Sequence, residues 1–118
     1  MIIDMTTAAN SRKTLLETEL SRYVSLLQQR ENLERILVFG SLVTGDVHPW
    51  SDIDLVIVQD TDLTFWQRLR EVRRLLQPKV GTDILVYTPK EWEEMKRERP
   101  FFRQEILDKS KTLYEREQ

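Results

Sequence analysis

Residues 38–58 read VFGSLVTGDVHPWSDIDLVIV, and their interpretation decides how the rest of the chain folds. Two apolar runs bracket a polar segment. Gly40-Ser41 closes the first run, and Ser51-Asp52-Ile53-Asp54 opens the second. Strand side chains alternate with a period of two, so Asp52 and Asp54 are expected on one side of the second strand. Two carboxylates side by side at the mouth of a sheet repel each other unless a cation lies between them. A glycine-serine turn entering a helix is, by contrast, a place where anions bind. A cation site beside an anion site is what a metal-bound phosphate needs.

The chain has 118 residues and no cysteine. That length supports one domain with its own core, and the composition excludes disulfides and thiolate metal sites. A net charge of −2 and a pI near 5.5 give no bulk attraction to nucleic acid, so direct nucleic-acid binding is not expected. No apolar run approaches a membrane span, and the opening Met-Ile-Ile-Asp-Met-Thr-Thr is too short in apolar length for a secretory signal. The expected location is cytoplasmic, away from membranes.

Working outward, residues 11–31 carry Leu16, Leu20, Tyr23, Val24 and Leu27 at helical spacing, with Glu17, Glu19, Arg22 and Gln28 on the other side. The residues before them read as frayed or loop. Residues 34–39 form a short central strand ended by Gly40, and one or two helical turns follow through Thr44. Gly45, Asp46, His48 and Pro49 make an open loop. Residues 53–59 form a second, doubly covered strand. Asp62 or Thr64 caps the next helix, whose buried stripe is Phe65, Leu69, Val72 and Leu76; Arg68, Arg70, Arg73 and Arg74 read as a solvated face. Thr82–Tyr87 is a third strand with Asp83 near its start. Thr88-Pro89-Lys90-Glu91 has the pattern of a capping box with proline at the first helical position. That helix stops near Pro100. A last helix is expected from about 101 to 115, burying Phe102, Ile106 and Leu113. The predicted class is α/β (α+β): a small mixed sheet of about three main strands packed with helices, in one domain over 1–118. Its core spans 36–87, and C-terminal helices cover 89–116. The polar features all lie at strand ends, and one site results if those ends meet.

The stretch lacks the lysine and hydroxyl residue of a Walker phosphate loop, because Asp46 and Val47 follow Gly45. It also lacks the dinucleotide fingerprint, because position 42 is leucine. An Asp-x-Asp alone is weak evidence, since glycosyltransferases also hold a metal that way. The full constellation says more. Gly40-Ser41, ten intervening residues, Asp52-x-Asp54, and a third aspartate on the next strand resemble the polymerase-beta-like nucleotidyltransferases, in the branch called minimal nucleotidyltransferases of antitoxin type. The resemblance covers residues 36–87.

It implies the nucleotidyltransferase fold, with Asp52, Asp54 and Asp83 as catalytic residues and magnesium ligands, two ions being expected. It further implies that Asp83 helps deprotonate an attacking hydroxyl, that Gly40 allows close approach of the phosphates of ATP, and that Ser41 bonds the β- or γ-phosphate. Small members of the branch transfer AMP from ATP to a tyrosine of a HEPN-type toxin, which makes such a toxin the expected partner; a homodimer is also compatible. Two other readings stand beside this one: a binding antitoxin that acts by occlusion, and an adenylyltransferase of the aminoglycoside type acting on small molecules. One departure matters. Many relatives carry a basic residue just after Gly-Ser, whereas this chain has Leu42, Val43 and Thr44. The phosphate charge must then be met by metal, backbone amides, Lys79 or an arginine elsewhere. Roles for His48 and Trp50 stay open.

Overall fold

A computed structural model describes residues 5–117. The chain builds one mixed four-stranded sheet in the order β3-β2-β1-β4. Its strands are β1 Leu33–Phe39, β2 Ile53–Gln59, β3 Thr82–Tyr87 and β4 Lys111–Glu115. Helix α1 is Met5–Leu27, α2 the single turn Ser41–Thr44, α3 Phe65–Leu76 and α4 Pro89–Glu98; α5 is the short turn Pro100–Phe102, continued by a wider π-turn over Arg103–Leu107. Strand β1 runs antiparallel to both β2 and β4, while β2 and β3 are parallel. A parallel pair needs a crossover, and α3 supplies it.

The two faces of the sheet follow the period of two along each strand. Ile53, Leu55 and Ile57 of β2 join Ile36, Ile84 and Val86 beneath Leu16, Tyr23 and Leu27 of α1 and Val72 and Leu76 of α3. Val56 and Val58 face the other way, against Leu37 and the buried Trp92 of α4, with Phe102 and Leu107 packed beside them. The second face is only partly covered. Leu85 is left exposed there, next to the strand ends that carry the aspartates.

Local chemistry fixes the helix starts. Thr64 and Thr88 each accept a bond from the backbone N–H three residues on, and Gln67 and Glu91 reach back to complete both capping boxes. Pro89 opens α4 where its missing N–H costs nothing. These starts lie where the sequence places them, with Thr64 rather than Asp62 as the cap.

Four expectations need correction. The first helix begins no later than Met5 and ends at Leu27, not at 31; Ala8 and Ala9 are strong helix formers that extend it upstream. Glu19 is buried rather than on the solvent side. Arg68 is buried too: it donates to the carbonyls of Leu63 (2.8 Å) and Val86 (3.2 Å) and to Glu91 (2.6 Å), so it ties α3 to β3 and α4. Finally, the helix expected over 101–115 stops at Leu107, and Lys111–Glu115 pairs with β1 as a fourth strand. Phe102, Ile106 and Leu113 do fit one helical stripe, but the open edge of β1 presents unpaired backbone groups that a strand satisfies and a helix does not. Among the described residues no helix is long and apolar enough to cross a membrane. Met1–Asp4, with most of the apolar start of the N-terminus, lie outside them.

Candidate functional site

The sheet topology gathers the three strand ends that carry the polar residues. Phe39, the last residue of β1, is paired with Asp54 of β2, and Asp54 is paired with Asp83 of β3. Gly40, Asp54 and Asp83 are therefore neighbours across three strands, although 43 positions separate the first from the last. Asp52 sits one residue before β2, level with Gly81 before β3.

Two glycines make room for the carboxylates. Gly40 adopts a left-handed φ of 72°, and a Cβ there would collide with an oxygen of Asp54. Only glycine turns the chain from β1 into α2 this close to a carboxylate. A Cβ at Gly81 would fall 2.7 Å from Cγ of Asp52. Beyond Gly40, the α2 turn is held by bonds from the Val43 and Thr44 amides to the Gly40 carbonyl, at 3.0 and 3.1 Å. Leu42 and Val47 pack onto the core below. The apolar residues after Ser41 thus serve the fold. Ser41 itself is the first residue of α2, with Gly40 at its cap.

The carboxylates do not share one environment. Asp54 is half-buried, and its carboxyl is pushed above the ordinary aspartate range, first by desolvation, then by the hydrogen bond it shares with Asp83 and by the charges of Asp83 and Asp52. Asp52 is about half exposed and turned toward α1, where Arg12 Nη2 lies 3.5 Å from its Oδ1. Arg12 Nε also donates to the carbonyl of Ser51 at 2.8 Å. Arg12 gave no signal in the sequence, because nothing in a helical pattern marks which polar residue will reach a strand end. Among the described residues, no group of three His, Cys, Asp or Glu side chains stands at metal-holding distances. What the fold provides is Asp54 and Asp83 side by side on β2 and β3, with Asp52 just before β2 and ion-paired to Arg12. The donors are all carboxylate oxygens, which suits a hard divalent cation such as magnesium.

Beside the Asp54–Asp83 pair opens a cleft of about 350 Å³ between the uncovered sheet face and the 100–107 turns. Phe39, Val56, Leu85, Tyr87, Phe102 and Ile106 line it, so its walls are apolar and its charge is confined to the two aspartates. Its volume is at the small end of ligand pockets.

The start of β3 is braced from α1. Glu19 receives Arg22 Nε at 2.6 Å and the Lys79 amide at 2.7 Å, while Tyr23 and Thr82 hydroxyls lie 2.8 Å apart. Arg73 donates to the Thr82 carbonyl at 2.8 Å. The segment 77–82 that presents Gly81 and Asp83 is thus fixed by side chains from two helices. In the loop before Asp52, His48 and Trp50 stack with ring centres 4.9 Å apart, and the indole remains exposed.

A family model described as polymerase beta, nucleotidyltransferase matches residues 22–118. No curated protein matches. Among solved structures, a provisionally named nucleotidyltransferase from Sulfolobus solfataricus is similar, with a TM-score of 0.65 at 20% identity, over 92% of this chain and 88% of the other. A toxin-antitoxin structure with AMP-PNP aligns at a TM-score of 0.54 and 20% identity, over 82% of this chain and 73% of the other. Identities this low speak for the fold alone. With the family match spanning most of the sequence, and with the strand ends arranged as the motif requires, the chain belongs to the polymerase beta-type nucleotidyltransferase family.

Proposed function

We propose that this protein is a magnesium-dependent adenylyltransferase that moves AMP from ATP onto a tyrosine hydroxyl of a HEPN-type toxin partner. The observation that carries the reading is the Asp54–Asp83 pair at the rim of an apolar cleft. The likeness of the fold to a toxin-antitoxin structure with AMP-PNP supports the choice of nucleotide and of partner class.

In this reading Asp52, Asp54 and Asp83 are the residues that would hold the divalent ions. Magnesium held there would supply charge stabilisation for the transfer. Gly40, lacking a Cβ, lets backbone amides of the following turn approach the triphosphate, and Ser41 donates a hydrogen bond to its β- or γ-phosphate. The acceptor's aromatic ring fills the cleft against Phe39, Leu85 and Phe102, which places its hydroxyl at the carboxylate rim. Asp83 accepts the hydroxyl proton. The phenolic oxygen then forms a bond to the α-phosphorus as the bond to pyrophosphate breaks. An apolar wall with charge only at one edge selects a group that is apolar along its length and polar at its tip, which describes a phenol better than a sugar or an aminocyclitol.

The test is transfer of label from α-labelled ATP to a purified HEPN-type partner in the presence of magnesium. Label on a partner tyrosine, lost with Asp54→Ala and without magnesium, is the expected result. An unlabelled partner that is still neutralised by the Asp52→Ala/Asp54→Ala protein would replace catalysis with occlusion. Label on an added aminoglycoside, with none on the partner, would move the activity to small molecules.

A further inference from the structure

The segment matched by the family model begins at residue 22, so the family pattern is silent on the first turns of α1. Yet α1 sends a cation into the site. Arg12 is mostly buried along its length, with 21% of its side chain exposed, and its Nε bond to the Ser51 carbonyl tethers the guanidinium at the mouth of β2. One edge of the guanidinium is committed to backbone. Among the described residues, the one ion-pair partner recorded for the Nη groups is Asp52, at a loose 3.5 Å.

Three other basic side chains of α1 and α3 are engaged. Arg22 is held by Glu19, Arg68 by Glu91, and Arg73 by the Thr82 carbonyl. The α2 turn after Gly40 offers Leu42, Val43 and Thr44, of which Leu42 is bound into the core. Among the described residues, Arg12 is the one basic side chain recorded in ion-pair contact with any of Asp52, Asp54 or Asp83.

We infer that Arg12 positions the triphosphate: it holds Asp52 in the free protein and exchanges that carboxylate for a phosphate oxygen when nucleotide and divalent cations enter. The inference rests on the nucleotidyltransferase reading of the site. Three carboxylates and a triphosphate together carry more negative charge than two divalent cations offset, and a tethered guanidinium removes part of the surplus. A loose, half-exposed ion pair contributes little, so giving up Asp52 costs little. A guanidinium fork fixed on one edge suits phosphate geometry better than a free ammonium does. The exchange also frees Asp52 to bind the cation, so one side chain couples nucleotide entry to completion of the carboxylate set. The basic residue missing after Ser41 is thereby replaced from a different element.

The experiment compares wild type, Arg12→Ala and Arg12→Lys in two binding measurements on the full chain: AMP-PNP with magnesium by calorimetry, and Mn²⁺ without nucleotide by electron paramagnetic resonance. Loss of a charge-assisted contact predicts AMP-PNP binding roughly 10- to 100-fold weaker in Arg12→Ala. Nucleotide-free Mn²⁺ binding should stay equal or tighten, because Asp52 loses its competitor. Arg12→Lys should recover only part of the AMP-PNP affinity, because an ammonium keeps the charge but lacks the fork and the Nε tether. Unchanged AMP-PNP affinity in Arg12→Ala overturns the inference. So does a parallel loss of Mn²⁺ and AMP-PNP affinity with a lowered melting temperature, which would mean that Arg12 only braces the strand end. A wild-type chain that binds neither probe overturns the nucleotidyltransferase reading of the site, and the Arg12 inference with it.

Discussion

Glu19→Gln is the substitution whose effect is best defined by the structure. The Glu19 carboxylate is buried between α1 and the segment before β3, where it accepts from Arg22 Nε and Nη2, from the Lys79 amide and from the Tyr23 hydroxyl. The Arg22 hydrogen bond leads in lowering its pKa from 4.5 to about 2, against the opposing effect of burial. A folded pKa below the unfolded one means that the unfolded chain binds more protons between these values. The stabilisation is therefore complete above about pH 4.5 and is lost as pH falls toward 2. At 1.36 kcal/mol per unit the full shift corresponds to about 3 kcal/mol, and screening at the partly exposed Arg22 reduces it to roughly 2–3 kcal/mol. Glutamine keeps the shape and gives up the charge. Urea unfolding followed by tryptophan fluorescence should show a midpoint about 1–2 M lower for the variant at pH 7. The gap should shrink to roughly half or less by pH 3. A variant within about 0.5 kcal/mol of wild type at pH 7, or a deficit equal at both pH values, would refute the charge argument and leave only packing. Because Glu19 also anchors the Lys79 amide, transfer activity should fall as well.

Other substitutions probe the site and its surroundings. Gly81→Ala places a methyl group against the Asp52 carboxylate; it should weaken Mn²⁺ binding several-fold while changing the melting temperature by only a few degrees, as read by paramagnetic resonance and calorimetry. Asp54→Asn removes a desolvated charge facing Asp83 and Asp52, so in EDTA it should raise the melting temperature while abolishing transfer; a lowered melting temperature would contradict the repulsion. Gln59 is fully buried, and neither of its side-chain polar atoms has a hydrogen-bond partner among the described residues, so Gln59→Leu should stabilise the chain by about 1–2 kcal/mol in urea titrations. Leu85→Glu puts charge into the apolar cleft and should raise KM for the protein acceptor while leaving AMP-PNP affinity within about twofold, since uniform binding of one substrate is what it removes.

Much of the architecture was legible because local chemistry and periodicity agree there. The Thr88 capping box, the three central strands and the stop before Pro100 follow from residues acting on their near neighbours. The fourth strand did not follow. Lys111–Glu115 becomes a strand because the far edge of β1 needs a partner, a demand made 73 positions upstream of Lys111 at Val38. Glu19 and Arg68 were misplaced for a related reason. A charged residue reads as exposed unless its partners are known, and part of each partner set lies far along the chain: the Lys79 amide for Glu19, and Glu91 and the Val86 carbonyl for Arg68.

The stretch 38–58, together with the aspartate on the next strand, pointed to the family, because a glycine-serine turn and an Asp-x-Asp at a fixed spacing are local chemistry that a sequence displays directly. It placed Gly40, Ser41, Asp52 and Asp54 at strand ends. Tertiary structure decided that those ends meet with Asp83, that Asp54 and Asp83 share a rim beside an apolar cleft, and that Arg12 of the first helix pairs with Asp52. The physical reason is range. Turn geometry and strand alternation act over a few residues, whereas charge neutralisation and cleft shape depend on which distant side chains the packed sheet brings within a few ångströms.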